Sequence, residues 1–334
     1  MAGENSVEKT VEKLAQAKKL LTDEIGKVII GQKAIIDHLL ITILCKGHAL
    51  MVGVPGLAKT LIVRTIAQVL DLKFSRIQFT PDLMPSDITG TDIIEEDPAT
   101  GHRRLEFIKG PIFANIILAD EINRTPPKTQ AALLQVMQEY QVTVGNKTYS
   151  LDLPFFVIAT QNPIEQEGVY PLPEAQLDRF MFNLRISYPS YNEEVQVVKN
   201  TTSTYEPHLD RVLTGEEILT LQDLVRKVPV SDEVVEFAVK LVSISRPESD
   251  NSPDFIKQWV NWGASPRASQ YLILGAKALA LMKGNFSVSF NDVKTVAEPV
   301  LYHRIITNFH ARSEEVEVQD IIARLIKAVD GGSK

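Results

Sequence analysis

Cysteine is nearly absent from this chain. Cys45 is the single one, so no internal disulfide is available, and its place on an apolar helical stripe marks it for core packing in a reducing cytoplasm. Long apolar runs are missing too. Stretches such as Leu39 to Cys45 and Tyr271 to Met282 are too short or too interrupted to cross a bilayer, which argues against direct membrane insertion. Positive charge is not in excess: 35 Lys and Arg stand against 42 Asp and Glu, a net charge of −7 with a pI near 5.5. That balance makes a nucleic-acid partner unlikely on charge grounds, although a basic pore lining would not show in the sum. No internal repeat or low-complexity tract is present. The opening MAGENSVEKT has neither a basic n-region nor an apolar h-region, so a cytoplasmic protein is expected. What remains is ordinary globular material, 44% hydrophobic and 23% charged over 334 residues, enough for two domains.

The segment HALMVGVPGLAKT, His48 to Thr60, organises the rest. A short apolar strand, Ala49 to Val52, enters a turn carrying Gly53, Pro55 and Gly56. Lys59 and Thr60 follow, and then apolar residues at helical spacing (Ile62, Val63, Ile66, Val69, Leu70). Strand, glycine turn, Lys-Thr and helix make a phosphate-binding layout. Backbone N–H groups from Gly53, Val54, Pro55, Gly56, Leu57, Ala58 and the helix start through Leu61 surround phosphate oxygens, proline supplying only its backbone shape. The lysine neutralises charge and the threonine hydroxyl holds Mg²⁺. The usual pattern is GxxxxGK(S/T); here Ala58 replaces the last glycine, and one extra methyl is expected to fit the first turn of the helix. A glycine turn after a strand is by itself often only a turn.

A second stretch decides between these readings. Asn115 to Glu121, NIILADE, is an apolar strand ending in two carboxylates, about 60 residues beyond the Lys-Thr pair. Phosphoryl transfer needs two acids in such a place: Asp120 to support the metal's hydration shell, Glu121 to polarise the attacking water. A further buried strand, Phe155 to Thr160, ends in Gln161-Asn162-Pro163, which puts an amide beside those acids; Asn-Pro is also ordinary turn chemistry. Lys73 to Phe79 and Phe180 to Ile186 complete a set of four or five strands alternating with helices. The expected fold class is α/β, a P-loop αβα core with a mostly parallel sheet whose ligands lie at the strands' carboxyl ends, plus a smaller all-α domain.

Around this frame the chain divides as residues 1–190 for the nucleotide-binding domain, 191–212 for a linker helix, and 213–334 for a helical domain. Val7, Val11, Leu14, Leu21, Ile25 and Val28 form one narrow stripe, broken by Lys18, on an N-terminal helix. Ile30, Gly31 and Gln32 form a turn that reads equally as an adenine wall or as a plain helix junction. Ile93-Ile94 and Leu105 to Phe107 flank the turn signal Asp97 to Gly101, a hairpin inserted into a helix; Gly145-Asn146 marks a second small hairpin. Residues 191–208 are polar and set Glu193 and Glu194 opposite Lys199. In the last domain Thr214-Gly-Glu-Glu217 is a capping box, Ser231-Asp-Glu opens another helix, and Ser265-Pro266 starts a third that ends at Lys283-Gly284. Arg267 then sits at a helix N-terminus, where a cation is badly placed for the dipole; either it is merely solvated or a phosphate lies nearby.

GVPGLAKT, IILADEINR, ATQNP, EQEGVYPLPEAQLDRF and GASPRA, in that order, resemble the MoxR family of AAA+ ATPases over essentially the whole chain. The resemblance implies an AAA+ core with a helix-2 insert, a helical lid, ATP and Mg²⁺ as cofactors, and a homo-oligomeric ring, commonly a hexamer. It also implies that Lys59 and Thr60 are the Walker A pair, Asp120 and Glu121 the Walker B pair with Thr60 and Asp120 toward the metal, Asn162 sensor 1, Arg179 the arginine finger and Arg267 sensor 2. Arg124 is a second candidate trans arginine, and Ile30 to Gln32 become the adenine wall. Proteins with von Willebrand factor A domains are the implied partners, and chaperone-like remodelling of clients the implied task. A magnesium-chelatase-like or nucleic-acid-remodelling ring is the alternative within the class; a nucleotide-gated assembly module with negligible turnover is the alternative outside it.

Overall fold

The computed structural model describes residues 4–96, 103–165, 168–204 and 207–330. The expected turn Asp97 to Gly101 and Gln166 lie outside the described residues, as do the side chains of Val7 and Val11. The first helix, α1 (Glu4–Gly26), buries Leu14, Ala17, Leu21 and Ile25. The lysine that breaks this stripe, Lys18, reaches Asp37 at 3.4 Å. Helix α2 (Lys33–Leu44), strand β1 (Ala49–Val52) and helix α3 (Lys59–Val69) follow, then β2 (Phe74–Gln78), a five-residue α4 (Pro85–Thr89) and the hairpin β3 (Gly90–Glu96) and β4 (Arg103–Lys109). The hairpin therefore has a short helix before it but returns through turns at 110–115 rather than into a second helical half. Gly110 explains the return: a Cβ there would stand 2.3 Å from the Ile88 carbonyl.

Next come β5 (Ile116–Asp120), α5 (Pro127–Glu139), the small hairpin β6 (Gln141–Val144) and β7 (Lys147–Ser150), β8 (Phe156–Gln161), a one-turn α6 (Glu174–Leu177) and β9 (Phe182–Arg185). Phe107 of β4 stacks on Tyr149 of β7 with ring centres 4.1 Å apart, which joins the two hairpins. The five strands β2-β5-β8-β1-β9 form one parallel sheet, in register from Gln78 opposite Asp120 to Ala49 opposite Phe182. β5 is buried at every residue, which is why IILAD reads as a continuous apolar run rather than an alternating one.

The remainder is helical: α7 (Tyr191–Thr201), α8 (Gly215–Lys227), α9 (Asp232–Ser243), α10 (Asp254–Trp259), the short β10 (Val260–Trp262), α11 (Pro266–Met282), α12 (Phe290–Leu301), β11 (Ile306–Thr307) paired with β10, α13 (Phe309–Ser313) and α14 (Val318–Asp330). The capping box at Thr214 forms as expected, with Glu217 Oε2 accepting from the Thr214 N–H at 3.0 Å. Ser265 also occupies the N-cap of α11 but makes no capping bond; its hydroxyl goes to Asp178. One hydrophobic core runs without interruption from one face of the sheet into these helices, so α1 touches both α3 and α11, and a second core covers the sheet's other face. Among the described residues, no helix is long and apolar enough to cross a membrane.

Candidate functional site

Because all five strands are parallel, their carboxyl ends deliver Gly53, Gln78, Asp120 and Asn162 to one edge. Gly53 is tightly placed there: a Cβ would stand 3.0 Å from the Ile186 carbonyl. Gly56 follows at φ +86°, the left-handed region glycine enters freely. Ala58 does not join the first turn of α3, contrary to expectation. It is the N-cap, at φ 56° and ψ 22°, a conformation an alanine holds at roughly 1–2 kcal/mol. The helix opens at Lys59, and its first intrahelical bond runs from Ile62 N to Ala58 O. The N–H groups of Lys59, Thr60 and Leu61 are therefore left for a ligand, although the Leu61 side chain points to solvent. Lys59 Nζ donates to the carbonyls of Gly53 and, at 3.2 Å, Val54. Partial burial lowers its pKa against the opposing pull of Asp120, Glu121 and Glu165.

The two acids are held by neighbours that sequence reasoning did not single out. Thr160 donates its hydroxyl hydrogen to Asp120 Oδ1 at 2.6 Å and accepts the Glu121 N–H at 2.8 Å, fixing both residues at once. From β2, Arg76 donates through Nε at 3.0 Å and Nη2 at 2.6 Å to Asp120 Oδ2. Gln78, two residues on and so on the same face of the strand, donates to Glu121 Oε2 at 2.8 Å. Glu121 itself stands at φ 58° and ψ 49°, a strained backbone of the kind found at functional turns.

Arg124 lies 3.3 Å from Glu121 and forms a two-pronged pair with Glu165, at 2.8 and 2.6 Å. That pair ties Arg124 into its own protomer, beside the acids. Asn162 is buried and donates to Glu165 Oε1 at 2.9 Å, while its Oδ1 accepts the Ile164 N–H. The Arg124 guanidinium holds the Glu165 carboxyl below the usual range. The signal that could have found Arg76 and Gln78 is their alternate spacing on the strand next to the acids; Glu165 had no periodic signal at all.

A cavity of about 620 Å³ opens beside the 53–60 loop, with Ala34, Ile35, Val54, Leu57, Pro299 and Tyr302 among its walls. Ile30, Gly31 and Gln32 are not among the residues that wall it. They form the junction into α2, with Gln32 at φ 56° and its amide donating to Ser187 O at 2.9 Å.

The remaining two arginines lie elsewhere. Met181 N bonds His48 O, so residues 178–181 sit level with the start of β1, at the amino end of the sheet. That is roughly 15 Å along the strand from Gly53. Arg179 is half-buried, donates to Leu134 O at 3.0 Å, and has no carboxylate partner among the described residues. Arg267 is 3.5 Å from the Asp178 carboxylate, which answers its poor place at the N-terminus of α11.

The comparisons with known proteins bear on the family and the fold. Residues 48–182 match the model for the ATPase family associated with various cellular activities (AAA), and residues 256–325 match an AAA lid domain. The chaperone MoxR1 of Mycobacterium tuberculosis is 43% identical over 306 residues, covering 92% of this chain and 80% of its own. The chain belongs to the MoxR family of AAA+ ATPases.

Another relative, the uncharacterized protein YeaC of Bacillus subtilis, is 42% identical over 92% of each chain. A solved structure of a candidate ATPase from Cytophaga hutchinsonii superposes with a TM-score of 0.90 at 42% identity, covering 98% of both chains. Membership in the MoxR family implies nucleotide binding and ATP hydrolysis, and AAA+ ATPases typically oligomerise.

Proposed function

We propose that this MoxR-family chain is an Mg²⁺-dependent ATP hydrolase that remodels or matures client proteins in a chaperone-like way. In this reading its complete active site forms between neighbouring copies in a ring. The observation that carries the reading is the separation of parts. Lys59, Thr60, Asp120, Glu121 and Asn162 converge at one end of the sheet, while Arg179 and Arg267 stand at the other. A triphosphate cradled by the 53–60 loop is beyond the reach of its own Arg179, whereas a copy stacked amino end to carboxyl end presents that arginine to it. The same separation favours Arg267 acting on the neighbour, and the Arg124–Glu165 pair favours Arg124 acting within its own copy.

In this mechanism the helix-start N–H groups and Lys59 bind and orient the β- and γ-phosphates. The adenine base lies in the cavity walled by Val54, Leu57 and Tyr302. Thr60 and Asp120 are oxygen donors of the type Mg²⁺ takes alongside phosphates and water, and they would hold the ion, which would supply charge compensation for the bound phosphates. Glu121, steadied by Gln78 and Thr160, orients the attacking water, and Asn162 polarises it. The neighbour's Arg179 compensates the charge that builds as the γ-phosphoryl leaves. Proteins with von Willebrand factor A domains are the proposed partners, a hexamer the proposed ring and the cytoplasm the proposed compartment. Phosphate release by the purified protein, followed against protein concentration with Mg²⁺ and with EDTA, tests the reading. Turnover should rise more steeply than protein concentration and vanish in EDTA; first-order dependence down to monomeric concentrations contradicts it.

A further inference from the structure

The segment that carries Arg179 is held by the lid through its backbone. Four consecutive carbonyls, Asp178 to Met181, all accept from lid side chains. Asp178 O takes Arg304 Nη2 at 2.9 Å and Arg267 Nη1 at 3.4 Å; Arg179 O takes the Tyr271 hydroxyl at 3.5 Å. Phe180 O takes Arg304 Nη2 at 2.7 Å and His303 Nε2 at 3.0 Å, and Met181 O takes Arg304 Nη1 at 3.2 Å. The Asp178 carboxylate adds 2.6 Å to Arg304 Nε and 3.0 Å to the Ser265 hydroxyl. The Arg304 side chain is only 2% exposed and spends four of its donor bonds on this segment. A guanidinium buried so fully is expensive unless every donor is used. Here most of that capacity goes to fixing the backbone around one half-buried arginine whose own side chain has a single hydrogen bond among the described residues. Among the described residues, the hydrogen bonds of the Arg304 side chain go to residues 178–181 and to Val300 O, none to the nucleotide loop.

We infer that Arg304, with His303 and Tyr271, is a positioning residue for Arg179. In this inference the lid sets where the arginine lent to the neighbouring copy points. The inference rests on the reading of Arg179 as a residue that acts on an adjoining site. It adds that α11 and the turn after α12 hold that arginine in place and are not only a cover for the copy's own nucleotide. A rigid mount matters because a small misplacement of a transition-state group forfeits much of its effect.

The test separates giving an arginine from receiving one. Lys59→Ala copies can give Arg179 but cannot hold nucleotide productively; Arg179→Ala copies can hold it but give nothing. In a mixture of the two, Arg304→Met is placed first on the giving copy and then on the receiving copy. Turnover should fall tenfold or more in the first arrangement and stay within twofold in the second, with Arg304→Lys on the giving copy restoring part of the loss. A merely structural role would reduce both arrangements alike. Should Arg304→Met not fold, the double change Tyr271→Phe and His303→Leu removes two of the carbonyl bonds without a buried charge, and should lower turnover about threefold on the giving side only. Equal losses on both sides, or no loss on either, overturn the inference. An Arg179→Ala protein that hydrolyses ATP normally by itself would instead overturn the reading beneath it.

Discussion

At the carboxyl end of the sheet the functional side chains brace one another. Thr160, Arg76, Gln78 and Glu165 each hold Asp120, Glu121, Arg124 or Asn162, and Ala58 and Glu121 carry left-handed backbone. At the amino end the gripping groups come from the lid, and what they hold is mainly backbone, the carbonyls of residues 178–181. In the proposed function the difference follows from what each end would do. Groups that meet a charged ligand directly need fixed polar atoms near solvent, and those atoms brace each other by charge and hydrogen bonding. A group that must reach across to another molecule needs a fixed base and a freer tip, which four anchored carbonyls and a lightly held guanidinium supply.

The strongest break in this comparison is Arg179→Ala. It should leave nucleotide affinity within a few fold and lower turnover by about 10³ to 10⁵, read from phosphate release beside a fluorescent-nucleotide titration. An equal change of binding and turnover would move Arg179 into its own pocket's machinery. Glu121→Gln at the opposite end should cost about 10² to 10⁴ in turnover while ATP stays bound. Rapid phosphate release by that protein would show that another group orients the water.

Next in size is a pH effect confined to the amino end. His48 is buried where β1 begins, accepts the Val157 N–H at Nδ1 and meets Met137 O at Nε2, each at 3.0 Å, and burial pushes its pKa down to about 4. An unfolded histidine titrates near 6.5, so between those values the unfolded chain holds more protons. The contribution is complete above pH 6.5 and falls as pH drops toward 4, by roughly 3 kcal/mol. Unfolding free energies from denaturant titrations of the protein and its His48→Gln variant should therefore shift relative to each other by that amount between neutral and pH 4, against the unsubstituted protein; parallel curves would mean that His48 is already charged in the fold. The smallest effect is Ala58→Gly, which relieves left-handed strain and should add roughly 0.5–1 kcal/mol with turnover little changed. A loss of stability would show that the methyl contact outweighs the strain.

The sheet was the most legible part of the sequence, because β1, β5 and β8 are short apolar runs ending in residues whose chemistry is visible at once: a glycine turn, Asp-Glu, Gln-Asn-Pro. The paired hairpins and the Thr214 capping box were legible for the same local reasons. What could not be read was set by contacts between distant strands and helices. Arg76 and Gln78 look like the solvated face of an edge strand until β2 is laid beside β5. Asp178 and Arg304 lie far apart in sequence and neither falls on a periodic pattern. Arg267 is legible as a cation in an unfavourable place, but its contact with Asp178, 89 residues earlier, is not. Ser265 shows a limit of local rules. Its position at the start of α11 was predicted, yet a partner across the structure claims its hydroxyl.

The most direct measurement mixes Lys59→Ala and Arg179→Ala proteins, each nearly inactive alone, and follows ATP turnover against their ratio. The account predicts that activity reappears in the mixture and peaks at intermediate ratios, since one copy supplies the loop and acids and the next supplies the arginine. Co-assembly of the two proteins with no recovery at any ratio would contradict it.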